Sequence, residues 1–147
     1  MSNSFDLKIR DEIYSYFKEA EIFDDDAVLI HSDISKNLIR YKKRDPNFKL
    51  NTFVNIIIDY FKKGTVIFPT FNFNFCEKGS YDYLETPSKM GILSEQIRKE
   101  NLYSRTLHPV YSFVALGANS KLFQECQNIE AFSEDSPFGI LRNLKGK

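Results

Sequence analysis

The sequence predicts an α/β fold, a central and largely parallel sheet with helices packed on its faces. Three observations carry that expectation. Two short continuous apolar runs, "AVLIH" and "TVIFPTF", have the length and make-up of strands covered on both sides. Between them "TFVNIIIDYFKK" repeats its apolar residues at helical spacing, so strand, helix and strand read as one parallel βαβ unit. A further helical pattern then leads into a third apolar run, "YSFVALG", as the start of a second such module would.

Taken in order, "FDLKIRDEIYSYFKEAEIF" sets Ile9, Ile13, Phe17 and Ala20 on one stripe, which predicts a first helix packed on the core. The acidic run Asp24 to Asp26 is a turn into the first strand. Asn51 is the expected cap of the next helix, and Gly64 is expected to end it in a left-handed conformation before the second strand. Open parallel sheets bind ligands where their strands end, here His31 to Ser35 and Pro69 to Phe75. In "TPSKMGILSEQIRKE" Ser88 is the expected N-cap, with Met90, Leu93 and Ile97 as the buried stripe. After the third strand, "ANSKLFQECQN" reads as a short helix, and "SEDSPFGILRNL" as a turn followed by a brief apolar segment. Without repeats or linkers, residues 1–147 are expected to form one domain.

Composition narrows the function. Twenty basic and twenty acidic residues cancel, so the footprint of a nucleic-acid binder is missing. Apolar runs such as "FVNIII" are far too short for a membrane span, and "MSNSFDLKIRDE" has no export signal, so a cytoplasmic location is expected. Glycine-rich phosphate loops are absent, and Cys76 and Cys126 have no zinc-ligand spacing, so no metal is expected. Fourteen Phe and no Trp suggest a phenylalanine-filled core more simply than a sugar-stacking surface. A nucleophilic role for Cys76, as in a hydrolase, is set against an inert cysteine amid phenylalanines. His31 and His108 read as structural, one ending a buried strand and the other held extended before Pro109 to turn a corner.

Four stretches in fixed order, "VLIHSDIS", "GTVIFPTFNFNF", "TPSKMGILSE" with "RTLHPVYSFVALG", and "SPFGIL", together resemble the aminoglycoside 3-N-acetyltransferase family of antibiotic and amino-sugar N-acetyltransferases. The resemblance implies that fold and not the Gcn5-type acetyltransferase fold. It also implies a cytoplasmic acyltransferase that moves acetyl from acetyl-CoA to a primary amine of an aminoglycoside or a nucleotide-linked amino sugar, in antibiotic resistance or sugar metabolism.

On that resemblance His31, Ser32, Asp33, Ile34 and Ser35 lie against the coenzyme A arm, with Asp33 standing where relatives carry a serine. A carboxylate repels phosphate, so Asp33 is expected to point away or to face an amine. Ser88, Lys89 and Met90 open a helix whose first free amides make an anion site for the diphosphate. The basic run Lys36, Arg40, Lys42, Lys43 and Arg44 could hold the ribose phosphate, or could be a solvated loop. Phe71, Asn72, Phe73 and Asn74 correspond to the acceptor stretch, with Glu77 or Asp82 as candidate acids for the ammonium group. The family's general base follows a further strand, so the catalytic residue is expected beyond Lys147 and the fold is expected to be truncated, with a possible homodimer through its unpaired edge. The alternatives are an inactive coenzyme A or sugar binding module, a fragment, and a Cys76 hydrolase.

Overall fold

In the computed structural model, which describes residues 4–101, 104–127 and 129–147, the sheet grows from the turn at Asp24 to Asp26. Strand β1 (Ala27–Leu29) lies parallel to β2 (Thr65–Pro69), Val28 opposite Val66. The connection between them carries helix α2 (Ser35–Arg44) and helix α3 (Leu50–Tyr60). Helix α1 (Ser4–Glu19) precedes the sheet. After β2 come α4 (Phe75–Lys78) and α5 (Ile92–Glu100), then β3 (Phe113–Gly117), α6 (Ser120–Gln124) and α7 (Pro137–Asn143). The strand order is β1-β2-β3, with β2 central and buried throughout.

Alternation along β2 explains why its sequence is apolar at every position. Val66 and Phe68 join Ile9, Ile13, Phe53, Val54, Ile57, Phe61, Leu93 and Ile97 in the core on one face. Ile67 turns to the other face, against Phe113, Ala115 and Phe123 and the partly buried Phe138 and Leu141. Six of the fourteen phenylalanines, Phe48, Phe53, Phe61, Phe68, Phe113 and Phe123, are buried, and Phe5, Phe17, Phe71 and Phe138 pack partly buried against the core, so most of them serve it. Among the described residues no helix is long and apolar enough to cross a membrane.

Several expectations are corrected. The third strand runs antiparallel to β2, Phe113 opposite Pro69 and Gly117 opposite Thr65, so among the described residues the expected second parallel module does not form. The chain first comes alongside at Arg105, which bridges Val114, then reverses at His108 and Pro109 and returns as β3. A tight reversal of this kind produces antiparallel pairing, whereas a parallel strand needs a full crossover.

Asn51 does not cap α3; the cap position is Lys49, and Asn51 Oδ1 accepts a hydrogen bond from Gln96 across the helix pair. Gly64 is not left-handed. It is required because a Cβ there would stand 2.2 Å from Asp26 O, inside the β1–β2 joint. Ala20 falls past the end of α1 and is exposed. The basic run is a helix, with Tyr41 buried and Arg40 and Arg44 each 2.7 Å from Glu12. "SPFGIL" is also helical, because Ser136 Oγ accepts from Gly139 N and Pro137 sits at the first helical position. At the outer edge of β1, Lys147 N donates to Ala27 O and Leu29 N donates to Lys147 O, both at 2.9 Å. Asn128, the last residue of the "ANSKLFQECQN" pattern, lies outside the described residues.

Candidate functional site

Parallel pairing puts the ends of β1 and β2 on the same side of the sheet, and the corner before β3 comes to that side as well. A cleft of about 420 Å³ opens there, lined by His31, Ser32, Asp33, Ser35, Lys89, Met90, Gly91 and Ile92. The structure thus brings the two stretches expected to touch a coenzyme together, from opposite sides of one cavity. Ile34 is buried beneath the loop as its apolar anchor, and the backbone beside it begins α2. Ser88 is also buried and stands just behind Lys89.

Two helices aim their N-terminal ends at this cleft, α2 from Ser35 and α5 from Ile92. The uncapped first amides of α5 and its dipole favour an anion there, while the first amide of α2 is taken by the Asp33 carboxylate. Ser88 is not the cap of α5 as expected: the cap position is Gly91, at φ 91°, and no side chain caps the helix. Ser88 Oγ instead accepts from Met90 N at 3.1 Å, and Ser88 N donates to Glu95 Oε2 at 2.7 Å. The first amides of α5 are thereby left without a side-chain cap at the mouth of the cleft.

Asp33 lines the cleft and turns its carboxylate onto its own helix, where it takes the first amide of α2. Its Oδ1 accepts from Ser35 N at 2.9 Å, and hydrogen bonds from the Ser35 hydroxyl and amide hold the carboxyl below its ordinary range. His31 is exposed at the rim rather than a hydrogen-bonded core residue. Lys36 stands exposed on the first turn of α2, while Arg40 and Arg44 are committed to Glu12.

The acceptor stretch divides. Asn72 is spent on structure: its Nδ2 donates to Pro87 O at 2.7 Å, its Oδ1 accepts from Asn74 N at 2.8 Å, and it is 1% exposed. Phe71 is half-buried, edge-on to Tyr111 and Phe113. Phe73 is exposed and edge-on to Tyr111, and Asn74 begins α4. Of the candidate acids, Asp82 caps its own turn through Leu84 N and Glu85 N, whereas Glu77 stays exposed. Cys76 is exposed on α4, not sheltered among phenylalanines, and none of the described hydrogen bonds reaches its sulfur.

His108 turns a corner. Its Nδ1 accepts from Val110 N at 3.1 Å and Tyr111 N at 2.9 Å, and burial pushes the imidazole below its ordinary range. The sequence reading missed Glu95, Arg98 and Arg105, which lie behind the cleft. Glu95 accepts from Arg98 Nε at 2.9 Å and from Ser88 N. Charged residues on a helix with an apolar stripe give no sign of such inward roles. Among the described residues no cluster of His, Cys, Asp and Glu could hold a metal ion.

A family model described as aminoglycoside 3-N-acetyltransferase matches residues 29–147. No curated protein matches the sequence. Among solved structures, AAC-IIIb in a binary complex with CoASH superposes with TM-score 0.70 at 19% identity, covering 93% of this chain and 56% of that one. Aminoglycoside acetyltransferase AAC(3)-IVa, as an apoenzyme, gives 0.67 at 18% identity, covering 93% and 51%. The YokD protein from Bacillus subtilis gives 0.62 at 22% identity, covering 86% and 58%. These likenesses share the fold, and the chain spans little more than half the length of each of the three structures.

Proposed function

The chain belongs to the aminoglycoside 3-N-acetyltransferase family, and on that premise we propose that it carries the coenzyme A side of an acetyl-CoA-dependent N-acetyltransferase. The acceptor would be a primary amine of an aminoglycoside or of a nucleotide-linked amino sugar. The observation that carries this reading is the convergence of the uncapped start of α5, Lys89 and the loop from His31 to Ser35 on one cleft at the strand ends. A diphosphate supplies the negative charge that such a place favours, and AAC-IIIb, which shares this fold, was solved with CoASH bound. In this reading Ser32 donates a hydroxyl hydrogen bond, Ser35 holds Asp33 in place, Lys89 contributes a cation, and Ile34 holds the loop from below.

Chemistry in the cleft would be direct transfer. The amine nitrogen forms a bond to the thioester carbon, the carbon–sulfur bond breaks, and the amine proton passes to a base while the thiolate gains a proton. Neither histidine fits the base: His31 is exposed without a carboxylate partner among the described residues, and His108 spends Nδ1 on its corner. The base therefore comes from outside the cleft described. The acceptor side is the aromatic rim of Phe73 and Tyr111, with Asn74 beside it and Glu77 as the nearby exposed acid. A homodimer would have to avoid the outer edge of β1 at Ala27 O and Leu29 N, which the Lys147 backbone already engages.

Titration calorimetry with coenzyme A tests the first half of this reading, and release of free thiol with kanamycin-type and nucleotide-linked amino-sugar acceptors tests the second. Binding with thiol release for one acceptor class is the expected result. Binding without release makes the chain a coenzyme-holding module, and the absence of binding overturns the assignment of the cleft.

A further inference from the structure

Arg105 is 3% exposed, and among the described residues no carboxylate pairs with it. Every hydrogen bond from its guanidinium ends on a neutral oxygen. Nε donates to Ser112 Oγ at 3.1 Å, Nη1 to Tyr83 O at 2.9 Å and Thr86 O at 2.5 Å, and Nη2 to Thr70 O at 2.9 Å. The Tyr81 ring lies 5.2 Å from the guanidinium carbon, and burial pulls the Arg105 pKa below the ordinary range. An unpaired buried cation is a poor way to gain stability, since apolar side chains of similar volume commonly hold a fold as well or better. What a guanidinium provides and an apolar group cannot is direction: a planar fork fixes the carbonyls it meets.

Those carbonyls belong to the parts of the chain that shape the cleft. Thr70 leaves β2, Tyr83 and Thr86 belong to the segment leading to Lys89, and Ser112 starts the return into β3. The neighbouring carbonyls of Leu84 and Pro87 are drawn inward too, by Arg98 and Asn72. With the carbonyls of Tyr83, Leu84, Thr86 and Pro87 held inside, the next residues have one register. Lys89 N meets Phe71 O at 2.8 Å, and Lys89, Met90 and Gly91 face His31 to Ser35 across the cleft. The geometry points to Arg105 as a positioning residue, which sets the register of residues 83–91 against the end of β2 and so places Lys89 and the start of α5 in the anion cleft. The identity of the anion as coenzyme A rests on the function proposed above; the positioning does not.

The test compares Arg105→Lys and Arg105→Met with Ile9→Ala, which disturbs the core at α1, outside the lining of the cleft. All three are measured well below their melting temperatures, by calorimetry with coenzyme A and by hydrogen exchange of the peptides covering residues 83–91. Both Arg105 variants should bind coenzyme A at least about tenfold more weakly, the scale set by small misplacements of a binding group, and should exchange faster over 83–91. Ile9→Ala should match the wild type in both. Arg105 variants that bind within twofold of wild type, with unchanged exchange over 83–91, overturn the inference. A wild type that does not bind coenzyme A overturns the proposed function alone, and the exchange data then decide this point. If neither Arg105 variant folds, wild-type exchange decides: amides of 83–91 protected like those of β2 support the staple, and amides open like an ordinary loop refute it.

Discussion

Replacing Glu95 by Gln removes one charge and keeps the shape, which makes it a sharp probe of how the cleft is held from behind. The Glu95 carboxylate accepts three hydrogen bonds, from Arg98 Nε at 2.9 Å, Arg98 Nη2 at 3.0 Å and Ser88 N at 2.7 Å. Its side chain is 22% exposed and that of Arg98 6%, so solvent screens the pair only partly. A glutamine offers one acceptor oxygen and turns an NH₂ toward the remaining donor, leaving a partly buried N–H unpaired at a cost of about 1–3 kcal/mol. For a domain of this size each kcal/mol moves the melting temperature by roughly 2–4 °C, so a loss of about 2 kcal/mol lowers it by about 4–8 °C.

The pH dependence supplies an independent check on the same substitution. Partial burial pushes the Glu95 carboxyl up, but the hydrogen bonds from Arg98 and Ser88 outweigh it and hold the group below its ordinary range. A depressed carboxyl contributes stability that is fully present above the unfolded pKa, about 4.3, and is lost as pH falls through the folded value. The difference between wild type and Glu95→Gln, followed by thermal circular dichroism, should therefore be full at pH 7 and shrink below about pH 4. Equal melting temperatures at pH 7, or a gap that stays constant down to pH 3, would refute the reasoning.

Three further substitutions read other parts of the structure. Gly64→Ala drives a Cβ to 2.2 Å from Asp26 O, an atom that also accepts from Thr65 N and so cannot retreat without opening the β1–β2 joint. Urea unfolding should show a loss of about 3 kcal/mol, and a loss below about 1 kcal/mol would contradict the close approach. His108 is held neutral by burial and by two amides that donate to Nδ1, so its contribution is present above the unfolded pKa of about 6.5 and fades as pH falls below it. His108→Asn, which keeps an acceptor near that position, should flatten stability across this interval; an unchanged profile would show that His108 does not cause it. Lys89→Ala should weaken coenzyme A binding about twofold to fivefold, as expected for an exposed cation, and should make the affinity less dependent on salt. An unaltered salt dependence would remove Lys89 from the anion site.

The βαβ unit was legible because its signals are local and redundant. "AVLIH" and "TVIFPTF" are apolar at nearly every position, and the structure buries β2 completely. From parallel pairing alone the strand ends at His31 and Thr70 had to share one side, and so the cleft had a place before it had a shape. The direction of β3 was not legible, since "YSFVALG" has the same pattern whichever way it runs. Direction was decided at His108 and Pro109, where two amides folding back on one imidazole nitrogen reverse the chain, and spacing alone does not encode that geometry.

The same distinction explains which polar residues could be placed at the cleft from the chain alone. Ser32, Ser35 and Lys89 could be placed beside one another because each is close in sequence to a strand end or a helix start, and parallel pairing brings those ends to one side of the sheet. Asn72 was misjudged because an exposed-loop composition hides a side chain bonded at both ends to distant backbone. Arg105 was invisible for the stronger reason that its partners, Thr70, Tyr83, Thr86 and Ser112, are up to thirty-five positions away. A loop that must present its amides outward has to anchor its carbonyls inward, and the anchors come from wherever the fold brings a donor. The ligand-facing half of such a cleft is therefore written locally in the chain, and the half that holds it in place is written in the tertiary structure.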